Sequence, residues 1–209
     1  MTTTYNRIAG QSLERLAALS DGIFAVAMTL LVLDIHAPSM EAVHSEQDLW
    51  HALSALLPRV LMYLMSFMTL GIFWTGQQTQ FNALARSDRD LSWIHIVFLA
   101  AVSITPFSTS LLAEFITFRT ALLIYWANIL ILGAVLYVSW RYAQRAGLLK
   151  DESDRAFACA VERRILVAQS LYAFGALLCV VNTYWSMGFI VLVQLIYAIA
   201  PRIPLLSKM

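Results

Sequence analysis

Charge is what this sequence has least of. Only 13% of its 209 residues are Asp, Glu, Lys or Arg, against about 25% in a soluble domain. Hydrophobic residues make up 60% and the mean hydropathy is +0.70, so the chain reads as an integral membrane protein. Cysteine is scarce too: Cys159 and Cys179 form no disulfide framework and have no metal-ligand spacing. The four histidines are His36, His44, His51 and His95, and the first three lie in or beside one acidic loop. His44 with Glu41 or Glu46 reads as a solvated loop rather than a metal site. No HExxH, Gly-rich phosphate cradle or Ser-His-Asp pattern is present, so no enzyme and no cofactor is expected. The net charge of +1 carries no information about partners, but the lack of a basic patch interleaved with aromatics speaks against nucleic acid. There is no Thr-Val-Gly-Tyr-Gly loop and no re-entrant segment between spans, which excludes a carbonyl-lined ion filter. Any ion crossing here must pass along the side chains of a helix. The opening MTTTYNRIAGQSLE has no apolar core or cleavage site, so the first span is expected to act as the insertion signal. No internal repeat of the kind that marks many transporters is seen.

What the chain has in abundance is long apolar runs, which predict an all-α polytopic protein of six transmembrane helices in a single domain, residues 1–209. The predicted helices cover about 13–36, 49–78, 91–112, 118–142, 164–181 and 184–200. Pro58 is expected to kink the second or to mark where an amphipathic turn becomes the span, and Pro106 interrupts the third. Residues 143–162 read as a charged surface segment. Six spans place both termini on one side, together with all but Arg59 and Arg119 of the 14 Lys and Arg. The positive-inside rule makes that side cytoplasmic.

The first helix, RLAALSDGIFAVAMTLLVLDI (Arg15 to Ile35), is the stretch around which the rest is organised. Arg15, Leu19, Gly22, Val26, Thr29 and Leu33 recur at steps of three and four, so they share one narrow stripe. Thr29 is the polar residue in the middle of it. Read from spacing alone, the stripe is a packing seam and the Thr29 hydroxyl bonds its own backbone. The ionisable residues at membrane depth are Asp21, Arg59, His95 and Glu114. Asp21 is expected to pair with Arg15, or with His95 and Trp93. Arg59 and Glu114 lie near the outer edge, where Arg can snorkel. Asp34 sits at the outer end of the first helix as a surface charge or a pore-mouth carboxylate.

The run Arg15-Leu-Ala-Ala-Leu-Ser-Asp21 resembles the Arg, three residues, Phe-Ser-Asp hallmark of the transmembrane protein 175 family, potassium channels without a carbonyl filter. GIFAVAMTLLVLDI, PRVLMYLMSFMTLGIFW and LSWIHIVFLAAVSITPFSTSLL are similar to that family's first, second and third helices. The likeness covers residues 13–112 in sequence and the remainder in hydropathy. Three positions depart from the pattern: Leu19 replaces Phe, Gln77 replaces a His three residues after Trp74, and His95 replaces an Asn. The polar network around Ser20 and Asp21 is therefore expected to be rewired.

The resemblance implies a bacterial inner-membrane potassium channel, a homotetramer whose first helices line a central pore. It places Gly22, Val26, Thr29, Leu30 and Leu33 on the ion pathway. Val26 and Leu33 are then apolar constrictions, and four Thr29 hydroxyls form a polar ring. Arg15, Leu19, Ser20, Asp21, Trp74 and His95 are placed at the motif and its subunit contact. The permeant species is potassium, the partners are the chain itself and membrane lipid, and no metal is fixed. Two alternatives stand beside this: a small proton-coupled transporter with Asp21 as carrier, and a non-conducting scaffold.

Overall fold

The computed structural model describes residues 12–41, 43–150 and 155–199, with seven α-helices and one isolated β-bridge among them. They are α1 Leu13–Leu30, α2 Glu46–Ala55, α3 Leu57–Ala83, α4 Arg89–Glu114, α5 Arg119–Arg145, α6 Arg155–Leu177 and α7 Thr183–Ile199. Single 3-10 turns follow α1 at Leu31–Asp34 and α6 at Leu178–Val180. Five helices (α1 with its 3-10 turn, α3, α4, α5, and α6) are long and apolar enough to cross a membrane, and α7 is a shorter apolar helix.

Several boundaries differ from the sequence reading, each for a local reason. The predicted helix over 49–78 is two helices, broken at Leu56. Pro58 lies in the first turn of α3, where a backbone N–H has no helical partner to lose, so it starts the span rather than kinking it. The short helix before it, α2, is capped by Ser45, whose hydroxyl accepts from the Asp48 N–H at 3.1 Å, and buries no residue. The first helix stops being α-helical at Leu30 instead of near 36. The fifth predicted span starts earlier, at Arg155, so part of the supposed surface segment is helix. At the end of α5, Gly147 takes φ 63°, a left-handed conformation that costs glycine little. The Leu148 N–H then reaches back to the Ala143 carbonyl at 3.0 Å and closes the helix. Beyond it the chain bridges to the end of α3, Ala85 N–H to Leu148 carbonyl at 2.8 Å and Lys150 N–H to Ala83 carbonyl at 2.9 Å.

Helix α4 is the spine of the bundle: α5, α1 and α3 all pack on it, α6 packs on α5, and α7 packs on α6 and α3. Lipid tails are as apolar as leucine, so fit and interhelical hydrogen bonds hold such helices together. Gly133 shows the fit: a Cβ there would overlap the Gln169 amide of α6, so only glycine lets that side chain lie against α5. The hydrogen bonds form a buried web among α3, α4, α5 and α7. Thr109 donates to Ser66 at 2.7 Å, and Ser66 donates to the Tyr125 hydroxyl at 3.3 Å. The Tyr125 hydroxyl lies 3.0 Å from that of Thr69, which accepts from the Gln194 amide at 2.7 Å. Asn128 donates to Thr105 at 2.9 Å and to Ser108 at 3.3 Å.

Candidate ion pathway and its support

Helix α1 has two unlike faces. Leu16, Ser20, Phe24 and Ala27, with Leu31 just beyond, recur at steps of three and four and are buried in the subunit. Phe24 meets Phe98 of α4 with ring centroids 6.0 Å apart, and Phe98 in turn meets Phe73 of α3 at 6.4 Å. The face with Arg15, Leu19, Gly22, Val26, Thr29, Leu30 and Leu33 is exposed, Val26 by 57% and Leu33 by 65%. The predicted stripe is therefore not a packing seam within the subunit. The Thr29 hydroxyl does bond its own helix, sharing its proton between the Ala25 and Val26 carbonyls at 2.9 Å each. That uses the proton and leaves the oxygen lone pairs on the exposed side.

The motif in the first half of α1 holds the buried face in place. Ser20, wholly buried, donates to the Leu16 carbonyl at 2.9 Å and accepts from the Gln77 amide at 3.2 Å. It therefore faces α3 of its own subunit. The same amide nitrogen lies 3.2 Å from His95 Nδ1. The other ring nitrogen, Nε2, lies 3.2 Å from the Ser139 hydroxyl, so the imidazole bridges Gln77 and Ser139. Phe81 lies against the imidazole with ring centroids 4.7 Å apart. One chain of polar groups thus joins α1, α3, α4 and α5. Two of the positions at which the sequence departs from the family pattern, Gln77 and His95, touch each other.

Asp21 pairs with neither Arg15 nor His95. Its Oδ1 accepts from Trp74 Nε1 and from the Gln78 amide, both at 2.8 Å. Sequence reasoning missed Gln78 as a partner; its place four residues after Trp74 on α3 was the available signal. In the 3-10 turn after α1, Asp34 accepts from the Ser110 hydroxyl at 2.8 Å, and Arg59 reaches the Asp34 carbonyl at 3.5 Å while pairing with Glu114. Arg59 and Glu114 are thus an ion pair, partly open to solvent, that ties the ends of α1, α3 and α4. Among the described residues no group of three or more His, Cys, Asp or Glu is placed to hold a metal ion.

A helical bundle with five membrane-length helices, and a first helix buried on one side only, is an all-α polytopic membrane protein. The model of the endosomal/lysosomal potassium channel TMEM175 family matches residues 15–106. A potassium channel of Streptomyces collinus is 33% identical over 153 residues, 71% of this chain and 73% of that protein. A potassium channel of Chamaesiphon minutus is 30% identical over 189 residues, 88% of this chain and 93% of that one. The crystal structure of a lysosomal potassium-selective channel TMEM175 homolog from Chamaesiphon minutus superposes with a TM-score of 0.80 at 28% identity, over 91% of this chain and 98% of that chain. The chain belongs to the TMEM175 family, a family of ion channels and not of enzymes.

Proposed function

We propose that this chain is a potassium-preferring cation channel, a homotetramer in a bacterial inner membrane with α1 of each subunit lining a central pore. The reading rests on one observation: the outward face of α1 has no cover among the described residues of its own subunit, yet is poorly made for lipid. It carries Arg15, Gly22 and Thr29, and a hydroxyl oxygen with free lone pairs is better placed beside water than among acyl chains. On a four-fold axis, Val26 and Leu33 become apolar rings above and below a ring of Thr29 oxygens. Leu30 flanks the rings, and Gly22 leaves room at the inner end. A narrow apolar neck sheds water, so these rings gate by dewetting. The relatives named potassium channels support potassium as the permeant ion. In this reading α7 is a sixth span and both termini are cytoplasmic.

The decisive experiment is flux from liposomes holding the purified protein, under potassium, sodium and proton gradients in turn, with the oligomeric state measured on the same sample. The channel reading expects a tetramer and passive flux favouring potassium. Substrate uptake driven by a proton gradient and abolished by Asp21→Asn would establish the transporter instead, and a tetramer without flux the scaffold. Orientation is checked by Ser153→Cys, in a segment outside the described residues. It should resist membrane-impermeant thiol reagents added to intact cells; ready labelling would overturn the six-span topology.

A further inference from the structure

A second site lies away from α1, in a crevice of about 90 Å³ between α3, α5, α6 and α7. Its walls are mostly apolar, but three of the residues that line it each carry a buried polar atom with no hydrogen-bond partner in the protein: Gln80 Oε1, Gln169 Oε1 and the Tyr172 hydroxyl. Gln80 and Tyr172 are themselves almost wholly buried, 1% and 2% exposed. Both glutamine nitrogens are already engaged, Gln80 with the Leu136 carbonyl at 3.0 Å and Gln169 with the Ile129 carbonyl at 3.4 Å. What remains free on both amides is an acceptor. Arg164 lines the same crevice with its guanidinium over the Tyr197 ring, 5.5 Å from the centroid, and has no carboxylate within ion-pair distance among the described residues.

These features specify an occupant. Two amide oxygens can only accept, so the ligand must donate. An unmatched guanidinium calls for an anionic oxyanion, which arginine binds well. Apolar walls call for an apolar body. Arg164 and Gln169 are five residues apart on α6, about 7.5 Å along its axis, a span on the scale of a lipid headgroup. We propose that this crevice binds an anionic phospholipid with a hydroxyl-bearing headgroup, its phosphate on Arg164 and its hydroxyls on Gln80, Gln169 and Tyr172. Phosphatidylglycerol supplies both the charge and the donors. Phosphatidylethanolamine supplies donors, but its ammonium opposes Arg164. Phosphatidylmethanol supplies the charge without hydroxyls, and phosphatidylcholine supplies neither.

The test is retention of these four lipids by the full-length protein, measured by native mass spectrometry at equal lipid-to-protein ratio. Retention of phosphatidylglycerol should exceed each of the others by roughly five-fold, the scale of one net hydrogen bond. Arg164→Gln should abolish the preference over phosphatidylethanolamine, and Arg164→Lys should keep part of it. Tyr172→Phe, which removes a hydroxyl with no partner in the protein and so should fold normally, should narrow the preference over phosphatidylmethanol. Equal retention of all four lipids would overturn the proposal and leave a crevice filled by water or covered by a second subunit. A preference that survives both Arg164→Gln and Tyr172→Phe would also overturn it, by placing the lipid elsewhere. Neither result depends on whether ions pass along α1.

Discussion

The two faces of α1 share a helical repeat and much of their composition, yet do opposite things. On the inward face Phe24 and Ala27 are buried against the bundle and Ser20 is bonded into it. On the outward face Val26 and Thr29, within two residues of Ala27, are exposed among the described residues. The inward face holds the helix in position, and the outward face is free to serve something outside the subunit. Substitutions should therefore separate: inward changes should act on stability, outward changes on conduction.

The largest effect is expected from Phe24→Ala. It empties a site between α1, α3 and α4 and should cost about 3 kcal/mol, by the scale of buried aromatic truncations. Thermal melting in detergent would read this, and an unchanged midpoint would mean the inward face is not what anchors α1. Asp21→Ala comes next. It strips Trp74 and Gln78 of their shared acceptor, at about 1–3 kcal/mol for each donor that assembly leaves dry. Size-exclusion chromatography should show loss of the tetramer; a full tetramer with only its ion preference altered would place Asp21 on the pathway instead.

On the outward face stability should barely move, within about 0.5 kcal/mol. Val26→Asn should wet the neck and raise leak current at normal expression, and unchanged conductance would put the gate elsewhere. The smallest structural change is Thr29→Val, which keeps the shape and removes the oxygen. The potassium-to-sodium permeability ratio should fall with assembly intact. If reversal potentials in mixed potassium and sodium match the parent, the hydroxyl serves only its backbone bonds to Ala25 and Val26.

Much of the scaffold was legible because its signals are local. Apolar length marks spans whatever packs around them. The stripe through Val26, Thr29 and Leu33 followed from helical periodicity, and the Ser20-Asp21 motif drew attention to the first half of α1. Other features were hidden because they depend on residues far apart in the chain. Gln77 and His95 read as two separate departures from a pattern, and only the crossing of α3 and α4 makes them one contact. Asp21 had several possible partners in sequence, and helix packing selected Trp74 and Gln78. The crevice at Gln80, Gln169 and Tyr172 left no trace in any single segment, since it draws on helices spread across more than 100 residues of chain.

Pro58 shows the same division on a small scale. A prolyl ring removes a helical hydrogen bond and crowds the preceding turn, so the sequence favours a break near it. Yet α4 runs unbroken from Arg89 to Glu114 through Pro106, where an interruption was expected. Whether the break at Pro58 is a kink or a new start depends on where the preceding helix ends, and the fold ends it at Leu56. By itself the sequence determined a membrane protein of long helices and the candidate pathway residues on one side of α1. These follow from hydropathy and a 3.6-residue repeat, which belong to short stretches of chain. The tertiary structure alone decided which side of α1 is covered and which polar groups meet beneath it. A helix carries no record of its neighbours until they are packed against it.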